Sequence, residues 1–453
     1  MADWIWIPAF IVAISVLVAV HEFGHYWVAR RLGFKVLRFS IGFGKPLWKR
    51  VWGTDRTEYV IAAIPLGGYV KLLDEREGPV PDRDLPRSFM RRPIGHRLLV
   101  LVAGPVFNFL FAILAYWFLF MWGVPQVRAI VGEVTMGSHA ANAGLRAGDE
   151  IIGVDDKRTP DSKSAVFALL SDVLDDGRST LQVRSDRGVQ RAVTLRIDSA
   201  EERHRLTEPG LLLTGLGFEF DYGPATPVLV QAPTSGSPAE RAGLEVRDRV
   251  VSVDGRVPRN TAEFVDYIRA RPGERVTLGV DRDGTQLRVP VDIGSAQDGD
   301  ATIGRMGVAL DDLRTPRLDR FGPVPALGRA VTETWEMSHL TVNMLWNMVM
   351  GRVSVKNISG PINIAAFAGE TARGGVRPYL MFLAIVSISL GILNLLPIPI
   401  LDGGQMLFQV IEFLKGSPLS ERAQLLGQQV GIALLLLLMS LAFYNDISSR
   451  FLN

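Results

Sequence analysis

The sequence predicts a polytopic α-helical membrane protein with four transmembrane helices, a membrane-associated β-hairpin and two tandem small α+β domains. Three observations carry this prediction. Four long apolar runs lie near Trp4, Leu98, Pro378 and Gln428, long enough for membrane spans in a chain of 453 residues. The first run holds His21, Glu22 and His25, and ionisable groups at membrane depth are costly enough to mark function. A polar stretch between the second and third runs contains the same 13-residue pattern twice, at an offset of 99 residues (243 − 144).

The first span is expected over Trp4 to Ala29. The N-terminus lacks the basic residues of a signal peptide, so the run reads as a retained helix. His21 and His25 are spaced i, i+4 and share one helix face, where both imidazoles can reach one metal ion. Glu22 can reach a water on that ion without being a ligand. This is the His-Glu-x-x-His arrangement of zinc hydrolases.

Residues 30–97 carry 15 Lys or Arg against 7 Asp or Glu, which makes the segment cytoplasmic by the positive-inside rule. His21 then lies roughly 14 Å of helix from Arg30, nearer the cytoplasmic face. Val36 to Phe43 and Tyr59 to Leu72 are rich in β-branched and aromatic residues and read as a hairpin at the membrane. Its Gly42-Phe43-Gly44 stretch is a candidate edge for pairing with an extended substrate, or a plain structural hairpin. The second span covers Leu98 to Trp122. Its Gly104-Pro105 suggests a kink or close packing, and Asn108 reads as interhelical glue, with a role near the metal as the lesser reading.

In the repeat, Ala143-Gly144-Leu145 through Asp155 matches Ala242-Gly243-Leu244 through Asp254. A turn, a short alternating strand and an Asp-ended turn, repeated, mean two small domains of one type. The pattern resembles PDZ domains. Gly217-Phe218 and Gly307-Val308 then correspond to loops whose backbone N–H groups take a peptide terminus. Steric bulk or a lid is the competing role. Residues 326–350 place apolar side chains at helical spacing and read as an amphipathic helix. The third span, Pro378 to Leu396, runs into Asn394-Leu395-Leu396-Pro397-Ile398-Pro399-Ile400-Leu401-Asp402-Gly403-Gly404, which the prolines and glycines take out of regular helix. Irregular backbone at membrane depth belongs against protein or a wet cavity, so Asp402 faces an interior site. The last span covers Gln428 to Phe443 and returns the C-terminus to the periplasmic side.

There is no cysteine, so zinc must be held by His, Asp or Glu, and disulfides are excluded. The net charge of +2, from 49 basic and 47 acidic residues, gives no support for nucleic-acid binding. Among six histidines, His96, His139, His204 and His339 lie away from the pair, so Asp402 is the expected third ligand, with a turn or cap residue as its alternative role. Asn394 is expected to hydrogen-bond the developing oxyanion or position the substrate, or else to join helices.

Together these residues resemble the site-2 protease family of intramembrane zinc proteases, on His21-Glu22-Phe23-Gly24-His25, on Asn394 through Gly404, and on tandem PDZ domains between the second and third spans. The resemblance implies a bacterial inner-membrane zinc endopeptidase of regulated intramembrane proteolysis and stress response, with His21, His25 and Asp402 as ligands and Glu22 as acid and base. It implies a single-span anti-sigma factor as substrate, trimmed beforehand by a periplasmic protease, with leftover signal peptides as further substrates and the PDZ pair as a size filter. The expected division is a protease half at 1–125, PDZ domains at 126–222 and 223–312, a periplasmic amphipathic helix and linker at 313–375, and a second protease half at 376–453. The N- and C-termini and the PDZ domains face the periplasm. Two departures stand out: Gln405, where many relatives carry His, and Arg247, where Gly is usual and a different turn is expected. The competing function is a non-enzymatic PDZ receptor with a structural metal. A metal transporter is disfavoured, because no second intramembrane carboxylate cluster forms a relay.

Overall fold

The computed structural model describes residues 5–221, 225–298, 301–313, 317–417 and 419–451. Four of its helices are long and apolar enough to cross a membrane: Trp6–Arg31, Ile94–Trp122, Val376–Leu395 and Arg422–Ser449 within the longer helix Glu421–Phe451. They match the four expected spans.

The second span is the hub. It presents Ala103, Gly104, Ala112 and Ala115 as buried small residues, which let neighbouring backbones approach closely. A Cβ on Gly24 of the first span would stand 2.5 Å from Ala103 O, so that crossing needs glycine. The third span joins through Ser387, whose hydroxyl donates to Asn108 O at 2.9 Å. At the opposite end of the fourth span, buried Asp446 accepts from the N–H groups of Gly360, Ile362 and Asn363 at 2.8, 2.9 and 3.1 Å. It caps the helix Pro361–Arg373, where a negative charge suits the orphan donors.

The expected hairpin is more elaborate. Two long strands, Val36–Trp52 and Thr57–Leu72, each bend and pair twice: Ser40 faces both Tyr69 and Val60, while Lys49 also faces Val60. The result is a four-stranded antiparallel ribbon in the order 46–52, 57–62, 36–41, 68–72. Its glycines at 42, 44 and 67 have φ of 92°, 85° and 137°, the conformations that such sharp reversals require. Segment 68–72 is left as an edge beside the first span, where a Cβ on Gly68 would stand 2.8 Å from Val18 Cγ1.

The polar region between the second and third spans leaves and re-enters the membrane core through one short ladder, Val124–Gln126 against Arg317–Asp319. Between them are two small domains. Domain one has a four-stranded antiparallel sheet, a separate two-stranded pair of Val131–Val134 with Phe218–Phe220, and the helix Ser162–Asp175. Domain two has a five-stranded sheet and the helix Thr261–Arg269. Each has its own apolar core, around Leu169, Leu181 and Leu216 in one and Phe264, Leu278 and Val280 in the other. Burying each such side chain is worth about 1.5–3 kcal/mol. The turn at Arg247 corrects the expectation of a different geometry. Arg247 adopts φ 75° where Gly148 has 85°, and both N–H groups donate at 2.8 Å, to Leu229 O and Val131 O. Asp248 and Asp149 close the two turns identically, accepting from Glu245 N–H at 2.9 Å and Arg146 N–H at 2.8 Å.

The amphipathic helix is present as Pro323–Val349. Its Ala326, Ala330 and Met337 pack with Ala112, Ala115 and Leu119 of the second span.

Candidate metal centre

His21 and His25 sit on the inner face of the first span, 8% exposed each. The His25 ring is turned by its Nδ1, which donates to Val100 O at 2.8 Å and leaves the Nε2 lone pair free. Nε2 of His25 stands 3.2 Å from Nε2 of His21.

Asp402 arrives from the far end of the sequence. The third span ends at Leu395, the chain runs irregularly through Leu401, and a new helix, Asp402–Lys415, begins at the carboxylate itself. The irregular stretch is thus shorter than expected, because Gly403 and Gly404 form the first turn of that helix. They have to be glycine: a Cβ would stand 2.3 Å from Leu395 O at one and 2.1 Å from Ile398 O at the other. The helix N-terminus favours the charge of Asp402. Its far end is tied to the second span by a buried bidentate pair of Arg97 with Glu412, at 2.7 and 3.2 Å.

Asp402 Oδ2 lies 3.1 Å from His21 Nε2 and 3.3 Å from His25 Nε2, yet it is buried and has no hydrogen-bond partner. These three donor atoms form a triangle with edges of 3.1, 3.2 and 3.3 Å. Ligands of a tetrahedral zinc at about 2.0–2.1 Å stand about 3.3 Å apart, so the triangle has the size that zinc requires. The two nitrogens and one carboxylate oxygen are a fitting donor set.

Two residues of the second span complete the surroundings: Gly104, which the sequence does not assign to the site, and Asn108, for which a role near the metal is the lesser reading. A Cβ on Gly104 would stand 2.3 Å from His25 Nε2 and 2.7 Å from His21 Cε1. The Asn108 amide faces His21 Nδ1 at 3.2 Å, and its Oδ1 is buried without a partner. Turned by 180°, that amide accepts the His21 Nδ1–H, satisfying the oxygen and freeing Nε2 toward the metal position. Gly-Pro in mid-span and an Asn one helical turn beyond were the available signals.

Glu22, Asn394 and the three donors line one cavity of about 700 Å³, whose wall includes Gly68, Tyr69, Val70, Lys71 and Leu72. Gly42, Phe43 and Gly44 lie behind that edge instead of on it. The Phe43 ring stacks on Tyr69 at 6.1 Å, and a Cβ on Gly67 would stand 2.5 Å from Phe43 Cε2. Gln405 lines the cavity but spends its amide on Pro399 O at 2.9 Å.

The remaining candidates are far apart in kind. Gly217 ends the helix Leu211–Leu216 and donates its N–H to Leu213 O and Thr214 O, while Phe218 is 2% exposed. Gly307 and Val308 instead line an open groove of about 520 Å³ with Phe264, Val265 and Ile268. Neither donates its N–H to another backbone group among the described residues.

The sequence matches Peptidase family M50 over residues 9–438. It is 43% identical to the "Regulator of sigma E protease" of Salmonella typhi, covering 99% of this chain and all of that protein. It is equally 43% identical to the "Regulator of sigma-E protease RseP" of Escherichia coli K12, with the same coverage. A relative from Ralstonia nicotianae that bears the name of a zinc metalloprotease is 42% identical, over 98% of both chains.

Proposed function

The chain belongs to peptidase family M50, the site-2 zinc metalloproteases that cut within the membrane, and from that premise we propose that His21, His25 and Asp402 hold its zinc and Glu22 handles the protons of hydrolysis. The observation that carries the assignment is the triangle of donor atoms with edges of 3.1, 3.2 and 3.3 Å. Zinc held there would supply Lewis-acid chemistry. Glu22, beside the donors in the cavity wall, takes the proton of the attacking water and returns it to the leaving nitrogen. Asn394, from the last turn of the third span, hydrogen-bonds the substrate carbonyl.

A helical substrate hides its scissile carbonyl in its own hydrogen bonds and has to be unwound. The segment 68–72 offers an unpaired strand edge in the wall of the same cavity, and an extended substrate added to it lies beside the donors. The substrate is a pre-trimmed single-span anti-sigma factor, supplied by an upstream periplasmic protease. The relatives' names, as regulators of sigma E, support a link to a sigma factor, and the strand edge in the cavity wall supports an extended chain as substrate. The two small domains act as tandem PDZ domains on the periplasmic side and exclude untrimmed substrate. Only the second, with N–H groups of Gly307 and Val308 free, captures a peptide terminus.

Reconstituted protein with a tagged single-span peptide tests these roles. Glu22→Gln retains zinc and loses about 10²–10⁴-fold in cleavage rate. Asp402→Asn loses zinc together with cleavage. Undiminished cleavage by Glu22→Gln sinks the role given to Glu22, and absence of cleavage by the wild type favours the receptor reading.

A further inference from the structure

A second cavity, of about 500 Å³, lies between domain one and the helix Pro323–Val349. No step of the hydrolysis uses it. One wall is the turn of domain one that carries Lys157, Arg158 and Thr159; the other is helix, with Trp335, Glu336 and Leu340. Lys157 and Arg158 are exposed and pair with no carboxylate among the described residues. Glu336 is likewise exposed and pairs with no cation there. Thr159 is only 3% exposed, and its hydroxyl is buried without a partner. The site therefore offers unpaired charge of both signs and an unsatisfied hydroxyl, next to apolar side chains.

Its surroundings place it at a membrane surface. The helix packs Ala326, Ala330 and Met337 onto the last third of the second span. At helical spacing it exposes Leu327, Val331, Trp335, Val342 and Trp346, with Trp335 71% exposed. An apolar stripe with tryptophans, on a helix fixed to the end of a span, belongs in the headgroup region.

We propose that this cavity holds the headgroup of an aminophospholipid, a phosphate ester carrying a primary ammonium. The phosphate meets Lys157 and Arg158, the ammonium meets Glu336, and the acyl chains lie along Trp335 and Leu340. Inorganic phosphate leaves Glu336 and the apolar wall unused. A purely anionic lipid brings negative charge to Glu336. A choline headgroup has no N–H to donate. So bound, the lipid wedges domain one at a fixed height above the bilayer. The proposal is independent of the metal centre, and Glu22→Gln protein serves equally in its test.

Full-length protein is delipidated, offered phosphatidylethanolamine, phosphatidylglycerol or phosphatidylcholine, and examined by native mass spectrometry. Phosphatidylethanolamine is expected to be retained about tenfold over the other two, as charge-assisted hydrogen bonds at both ends of the headgroup require. The double variant Lys157→Ala, Arg158→Ala, on an exposed turn, loses about tenfold in that retention. Glu336→Gln abolishes the preference over phosphatidylglycerol while still holding lipid. Equal retention of all three lipids by wild type overturns the proposal, as does unchanged retention by the double variant. A photoreactive residue in place of Leu340 separates the occupants: capture of lipid in native membranes agrees with the proposal, and capture of a protein segment refutes it.

Discussion

Domain one and domain two repeat one motif and part company in the segment before their glycine-containing loops. In domain one that segment is a pair of helices, Ala200–Leu206 and Leu211–Leu216. In domain two it is a hairpin, Gly294–Asp298 with Ala301–Arg305. The helices fasten domain one to the membrane core. Thr207 accepts from Asn357 Nδ2 at 2.9 Å, and Glu208 pairs with Lys356 at 3.0 Å. Lys163 adds a pair with Glu333 at 2.5 Å. The same helices use up the Gly217 N–H and bury Phe218. The hairpin makes a wall of the open groove in domain two, next to Gly307 and Val308. One repeat closes its loop, and the other leaves it facing an open groove. Repetition of a motif therefore does not imply repetition of its surroundings.

The largest effect that can break this comparison is at the loops themselves. Phe218→Ala removes a core side chain and is expected to cost domain one about 3–5 kcal/mol. Val308→Ala, at a half-buried groove position, should cost within about 1 kcal/mol yet weaken peptide capture. Hydrogen exchange of each domain in the full-length protein, with peptide titration, reads both effects. Equal destabilisation by the two changes removes the distinction.

The next effect concerns pH. Burial pushes the Asp172 carboxyl of domain one up to about 6, against the Ser179 hydroxyl that donates to it. The corresponding helix of domain two, Thr261–Arg269, buries Phe264 and Ile268 and no carboxyl group. Because the folded pKa lies above the unfolded value of 3.8, the folded domain keeps its proton where the unfolded chain has lost it. This contribution is complete below about pH 4 and is lost as pH rises to about 6. Asp172→Asn is expected to stabilise domain one by about 1–3 kcal/mol at pH 7.5 and to flatten its profile between pH 4 and 6. Domain two should show no such slope at this position.

The smallest effect sharpens the likeness of the two domains. Arg247→Gly relieves a left-handed backbone, and about 0.5–1 kcal/mol of added stability in domain two is expected. A loss of stability there would mean that the Arg247 side chain contributes more than its strain costs.

Much of this architecture is legible in the sequence, and the reasons are physical. His21, Glu22 and His25 stand out because an apolar run has no ordinary use for them. Asp402 stands out because prolines break its span. The repeat gives two domains through Gly144, Asp149, Gly243 and Asp248. What escaped depends on contacts between distant segments. The strand edge at 68–72 exists because two strands each bend and pair twice, which no local pattern specifies. Asn108 joins two spans as its glue-like reading expects, but its partner, His21, lies 87 residues away and no local pattern names it. The helix from Asp402 was hidden because glycine normally argues against helix, whereas here it answers to the backbone of Leu395 and Ile398.

The metal centre is bounded by four positions with no side chain: Gly24, Gly104, Gly403 and Gly404. This has a consequence at the level of the gene. Any single-base missense change in a glycine codon yields a residue with a Cβ, the atom each position has no room for. At these four codons no conservative mutational step exists, whereas the apolar residues around them have exchanges of similar size open to them.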